Sequence, residues 1–144
     1  MEKEFIAYEQ ALELKELGFD EPCLEAYDKN GMLYYSHKTD KLFTVLNSNL
    51  STQCSAPLYQ QAFRWFREKY NLRGFIGFRP NVKQFDCHVY DMSLSGKEYV
   101  KQRTMEEFNK DPKVGTYEEV ELECLKKLIE IVKKQKEDES NIIV

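Results

Sequence analysis

Apolar positions recur most regularly between Ser55 and Tyr70. Tyr59, Ala62, Phe63, Phe66 and Tyr70 recur at helical spacing, so one side of a helix carries four rings, with Trp65 and Leu58 on its flank. A fully buried side chain of this kind contributes roughly 1.5–3 kcal/mol, and the spacing predicts a central helix around which the fold packs. Ser55 is its expected N-cap, with Pro57 in the first turn. Tyr8 to Leu17 predicts a shorter helix with Ala7, Ala11 and Leu14 on one side. Gly18 can adopt the left-handed conformation that ends it, Phe19 can fold back on Leu14, and Pro22 prevents the helix from resuming. Thr116 and Glu119 form a capping box for the last helix, expected over 116–137 and frayed beyond. Val120, Cys124, Leu128 and Ile131 make its apolar stripe, which Leu125, Ile129 and Val132 widen. Acids crowd its first half and lysines its second, in the sense that suits the helix dipole.

Strands fill the intervals. Cys23–Tyr27 and Met32–Ser36 read as a hairpin through Asn30-Gly31, with Lys41–Leu46 as a third strand and Asn47–Cys54 as a polar loop. Arg73–Arg79 is followed by a Pro80-Asn81 turn. Lys83–Met92 then alternates, with Phe85, Cys87 and Val89 on one face and Gln84, Asp86, His88 and Tyr90 on the other. Ser95-Gly96 turns the chain into a third strand, Lys97–Arg103, and Thr104–Gly115 is a longer connection. Gly74 and Gly77 are expected to mark a bulge or close packing against the central helix. The prediction is an α+β fold: antiparallel sheets in an α-βββ-α-βββ-α order, packed as a single domain over 1–144. Its halves, 5–46 and 55–103, read equally as a diverged repeat or as unrelated pieces sharing a core.

Composition narrows the function classes. The 144 residues are 42% hydrophobic and 32% charged, which fits one folded domain. The net charge of −4 argues against general nucleic-acid binding, since phosphate neutralisation needs surplus Lys and Arg. No apolar run approaches the ~20 residues of a membrane span and no signal-peptide pattern opens the chain, so a cytoplasmic protein without membrane contact is expected. Cys23, Cys54, Cys87 and Cys124 are widely spaced, which predicts free buried thiols.

Catalytic motifs are missing from the pattern. Cys87-His88 and His37 invite a metal or nucleophile reading, but neighbours on a strand point to opposite faces and do not converge on one ion. The expectation is no catalytic residue, no metal and no cofactor. The distinctive local feature is charge. Arg64, Arg67, Lys69, Arg73, Arg79 and Lys83 stand against Glu68 alone, giving +5 over Arg64–Lys83 and leaving −9 for the remainder of the −4 chain. Trp65, Phe75 and Phe78 interleave with these cations. Arginine beside aromatic rings suits phosphate pairing with base stacking, so Arg64, Arg67, Arg73, Arg79, Phe75 and Phe78 form a candidate site for a small anionic nucleotide or a short single strand. The competing reading is a solvated helix face with the rings in the core. Tyr27, Tyr34, Tyr35 and Phe43 of the first sheet make a second ring-rich surface, either packed inward or open to a protein partner or second copy. A helix, three strands and a helix also suggest a duplex-RNA-binding topology, but Tyr117-Glu118-Glu119 at the last helix start repels phosphate. Duplex nucleic acid is not expected.

Three segments, Tyr8–Cys23, Ala56–Tyr70 and Thr116–Lys133, together resemble a family of small proteins encoded by gut and marine phages and by bacteria, with no established activity. The resemblance covers the three helices and implies a phage-type accessory protein acting in the host cytoplasm. By analogy such a protein binds and disables a host component. The favoured expectation is therefore a non-catalytic binder of a host protein, or a homo-oligomer. A nucleotide binder or sequesterer comes second. A small enzyme acting on a phosphorylated substrate through His88 or Asp86 comes third.

Overall fold

In the computed structural model, which describes residues 2–35, 45–49, 53–93 and 115–142, the chain is a mixed α+β protein. Among those residues it has three α-helices, α1 (Tyr8–Glu16), α2 (Tyr59–Tyr70) and α3 (Tyr117–Ile142), and two small antiparallel sheets. The strands are β1 (Glu25–Tyr27), β2 (Leu33–Tyr35), β3 (Cys54–Ala56), β4 (Leu72–Arg79) and β5 (Gln84–Asp91). The chain divides into two compact units, Met1–Ala62 and Phe63–Val144, with the boundary inside α2.

In the first unit, α1 ends as its sequence dictates. Gly18 takes a φ of +96°, the Phe19 amide donates to the Leu14 carbonyl at 2.9 Å, and the Gly18 amide donates to Lys15 at 3.0 Å. That bond pair is a Schellman motif, and it turns Phe19 into the interior beside the fully buried Leu14. The β1–β2 hairpin pairs Tyr27 with Leu33, so its loop is five residues and not two. The Asp28 carboxylate explains the longer loop, accepting from the Asn30 and Met32 amides at 2.8 and 3.0 Å while Gly31 supplies a φ of +79°. Met32, expected in the second strand, is therefore loop.

The third strand of this sheet is a correction. It is β3, which lies against β1 on the side away from β2, in a stretch expected to be loop and helix cap. Ser55 pairs with Ala26, and its amide donates to the Asn47 Oδ1 at 2.8 Å, so it sits in the sheet and cannot cap α2. The first helical bond of α2 runs instead from the Ala62 amide to the Leu58 carbonyl, 3.0 Å. Asn47 also donates through Nδ2 to the Phe19 carbonyl at 2.7 Å, tying the end of α1 to the sheet. Of the expected strand Lys41–Leu46, Val45 exchanges backbone bonds with Cys23 (2.9 and 2.8 Å) and residues 41–44 lie outside the described residues.

The second unit is built on α3. Its stripe is buried as the periodicity predicts, from Val120 through Cys124, Leu125, Leu128, Ile129 and Ile131 to Val132. The Glu119 amide donates to the Thr116 hydroxyl at 3.3 Å, which is the expected cap. The helix runs on to Ile142, past the expected end near residue 137. Phe66 and Leu72 are fully buried in this unit and Trp65 nearly so, its ring edge-on to Phe66 (5.0 Å) and Tyr70 (5.4 Å). The β4–β5 ladder is regular from Leu72↔Asp91 to Arg79↔Gln84, and its turn spans Pro80–Lys83, with Lys83 at φ +54°. The strand expected at Lys97–Arg103 and residues 104–114 of the expected connection lie outside the described residues.

Asn47 bonds two backbone groups at once, the Ser55 amide and the Phe19 carbonyl, so truncating it removes both bonds. Asn47→Ala is expected to destabilise the protein by about 2–4 kcal/mol, read as a lower urea midpoint with an unchanged slope.

Candidate functional site

The β4–β5 ladder decides which candidate residues meet. Side chains alternate along each strand, and directly paired residues share a face. Leu72, Gly74, Ile76 and Phe78 therefore share one face with Asp91, Val89, Cys87 and Phe85; Arg73, Phe75, Gly77 and Arg79 share the other with Tyr90, His88, Asp86 and Gln84. The first face packs on α3. A Cβ at Gly74 would lie 2.8 Å from the Cys124 Sγ, 3.2 Å from Leu128 and 3.7 Å from Phe63 of α2. Gly74 thus marks close packing, chiefly against α3, and the regular ladder contains no bulge there.

The second face is open to water over most of its area. Phe75 is 45% exposed and Tyr90 50%. His88 lies between them, 6.4 Å from the Phe75 ring and 6.3 Å from the Tyr90 ring, the latter pair stacked at 28°. Arg73 is exposed across from Tyr90, and Arg79 is exposed at the turn end. The result is a row of three rings with a guanidinium at each end.

Asp86 organises the turn end of this row. Its Oδ2 accepts from the Arg79 Nε at 2.7 Å and lies 3.3 Å from the His88 Nε2, while its side chain stays 8% exposed. Gly77 stands directly opposite, and a Cβ there would meet the Asp86 Oδ1 at 2.8 Å. Glycine at 77 therefore makes room for the carboxylate to lie across the ladder. Burial pushes the Asp86 carboxyl up, but the Arg79 hydrogen bond and the nearby His88 outweigh it and hold it below the usual carboxylate range.

Of the six candidate residues, the ladder brings Arg73, Phe75 and Arg79 together on the open face. Phe78 falls on the other face, where its ring lies 5.1 Å from Phe85, which in turn meets Tyr117 edge-on at 5.4 Å. Arg64 and Arg67 are exposed on α2, which approaches the sheet from the same side as α3, so they do not join the row. Trp65 is buried and takes no part in it. Asp86, His88 and Tyr90 join instead, as the β5 alternation allows once the register is known. Gln84 to Asp91 and Leu72 to Arg79 place no Ser, Thr or Cys on the open face; its one hydroxyl from these strands is the Tyr90 phenol. Among the described residues no group of three His, Cys, Asp or Glu is arranged to hold a metal ion.

Behind the sheet, Cys87 and Cys124 are both fully buried. Hydrogen bonding from the Cys124 side chain holds the Cys87 thiol below its ordinary value against the opposing effect of burial, and Lys127 adds to the depression; the Cys124 thiol is correspondingly raised. Cys23 and Cys54 differ, since burial pushes both up to about 11. In the first unit, Tyr27 of the expected ring surface is buried, its hydroxyl donating to the Ile6 carbonyl at 2.6 Å. Phe43 and the Tyr34 and Tyr35 side chains lie outside the described residues. Among the described residues no helix is long and apolar enough to cross a membrane.

No family model, curated protein or solved structure matches this chain.

The depressed Asp86 pKa sets the sign of a pH effect. The stabilisation is complete above the unfolded carboxyl value near ~3.9 and is lost as pH falls through the lower folded value. Arg79 is 44% exposed, so screening limits the contribution to about 1 kcal/mol. Asp86→Asn should lower the denaturation midpoint at pH 7, and its deficit relative to wild type should shrink steadily below about pH 4.

Proposed function

We propose that this chain is a non-catalytic binding protein whose open β4–β5 face takes an anionic, ring-bearing ligand: a nucleotide or the bases of a short single strand. The observation that supports this is the row Arg73, Phe75, His88, Tyr90 and Arg79, in which partly exposed rings lie between two exposed guanidinium groups. Rings offer a stacking surface to any base, and guanidinium forks suit phosphate oxygens. The chain's negative net charge limits long-range attraction to polyanions, which favours a small or short ligand. Arg79 enters this role already bonded to Asp86, so Arg73 is the principal phosphate partner.

A host-protein target is the second reading. It follows from the resemblance of the three helices to phage-encoded accessory proteins. One structural feature favours it: Phe78, Val82, Met92 and Tyr117, from β4, its turn, the end of β5 and the start of α3, are each about half exposed or more. Exposed aromatic and Met side chains are common at the centre of protein interfaces.

The two readings separate by titration at low salt. Nucleoside di- and triphosphates and single-stranded oligonucleotides should raise the melting temperature in proportion to occupancy. Phe75→Ala and Arg73→Ala should each weaken that binding about tenfold, given ~1–3 kcal/mol per stacked base, while Arg67→Ala on α2 leaves it unchanged. Absence of any shift across the panel would sink the anionic-ligand reading. Equal losses from Arg67→Ala and Arg73→Ala would show that the site is not the sheet face.

A further inference from the structure

His88 sits at the middle of the open row, paired directly with Phe75 across the ladder and flanked on its own strand by Asp86 and Tyr90. Its imidazole is 28% exposed and so open to water. Its Nε2 lies 3.3 Å from the Asp86 Oδ2, and the same oxygen accepts from the Arg79 Nε at 2.7 Å. An ionised carboxylate can only accept hydrogen bonds. The Nε2 that faces it therefore carries the hydrogen, and Asp86 fixes the tautomer of the neutral ring. Nδ1 is then left with a lone pair, which repels the oxygen of an anion. Protonation turns Nδ1 into a second donor and adds a positive charge between Arg73 and Arg79. Among the described residues no hydrogen bond occupies Nδ1.

The groups of β4 and β5 that face His88 act on its charge in opposite senses. Asp86 favours the imidazolium, while Arg73 and Arg79 oppose it. The Tyr90 phenol is the other titratable group of these strands on that face, and its ring stacks on the imidazole at 28°. An aromatic face also suits a cation. An anion bound to the guanidinium groups neutralises the opposing charges and adds a negative one, so it tips the balance toward the protonated ring.

We infer that His88 is a proton-coupled contact of this site: it takes a proton from water as an anionic ligand binds and donates from Nδ1 to a phosphate oxygen, with Asp86 as its positioning residue. The inference rests on the anionic-ligand reading of the open face and adds a sign to it. An imidazole changes charge between about pH 5 and 8, so affinity rises as pH falls through that window. A neutral nucleoside has no charged oxygen for Nδ1 and gains nothing from the proton, so the coupling also selects for phosphate.

The experiment titrates the full chain with a short thymidine strand lacking terminal phosphates, and with cyclic uridine phosphate, at intervals between about pH 5 and 8. Both probes carry only phosphodiesters, which stay ionised throughout, so a slope belongs to the protein. Binding should tighten about tenfold from the top of the window to the bottom, as expected of one charge-assisted hydrogen bond. Calorimetry in buffers of different ionisation enthalpy should register proton uptake on binding. His88→Phe, which keeps a ring, and His88→Gln, which keeps polarity, should each give a flat profile. Asp86→Asn should keep a slope but move it to lower pH, because the anion that favours the imidazolium is gone. A flat wild-type profile with binding intact would overturn the inference and leave the anionic-ligand reading standing. A slope that survives in both His88 variants would overturn it as well, assigning the proton to another group such as Cys87 on the packed face. Failure of both probes to bind at any pH would remove the inference together with the reading beneath it.

Discussion

The close approach of α3 to the β4–β5 ladder at Gly74 is the constraint on which the second unit depends. Among the described residues β4 and β5 form a two-stranded sheet, which is marginal alone in water, and one of its faces is covered. The cover is the stripe from Val120 to Val132, all of it buried. Each such side chain contributes roughly 1.5–3 kcal/mol against the entropy of ordering the chain. A methyl group at 74 would press on the Cys124 sulfur and on Leu128 together, so helix and ladder fit one another only with glycine there.

Covering one face commits the other. Because the period of a strand is two residues, every side chain that does not meet α3 must point the opposite way. Arg73, Phe75 and Arg79 are carried outward by the same alternation that carries Gly74, Ile76 and Leu72 inward. The outward row therefore needs no stabilising role of its own, and its rings can remain partly wet. Its one buried polar group, Asp86, is kept by two cationic or proton-donating neighbours and by the gap that Gly77 leaves. A carboxylate in that position fixes Arg79 and His88 in place, which lowers the conformational entropy they would lose on meeting a ligand.

Much of this was legible in the chain. The α3 stripe, the Gly18 stop with Phe19 folded back, and the two faces of β5 all follow from periodicity and end signals, because each is decided by residues close in sequence. What was not legible depends on partners far along the chain. Ser55 looks like a helix cap until Asn47 and Ala26 claim it for the sheet, and a hydrogen bond to Asn47 is invisible to local pattern. The basic segment suffered the same way. Arg64 and Arg67 are close in sequence to Arg73, but a helix and a strand with different periods set them on different sides of the ladder. Phe78 and Phe75 are three residues apart, an odd number, so a strand must separate them. Only the register, fixed by the Pro80–Lys83 turn at Arg79↔Gln84, identifies His88 and Tyr90 as the true neighbours of Phe75 and Arg73.

The dipeptide Cys87-His88 shows why adjacency in sequence misleads about chemistry on a strand. Read as letters, a thiol beside an imidazole suggests an activated nucleophile. In the ladder the sulfur turns toward Cys124 and Lys127 while the imidazole turns toward Asp86, Phe75 and Tyr90. The sheet separates two environments: a dry one in which a thiol's ionisation is governed by another thiol and an ammonium, and a wet one in which rings and guanidinium groups face solvent. Each residue is tuned by its own side, so the two do not combine into one reactive pair. They share a backbone, however, and any shift of β5 along β4 that changed the register by one residue would exchange the two environments together.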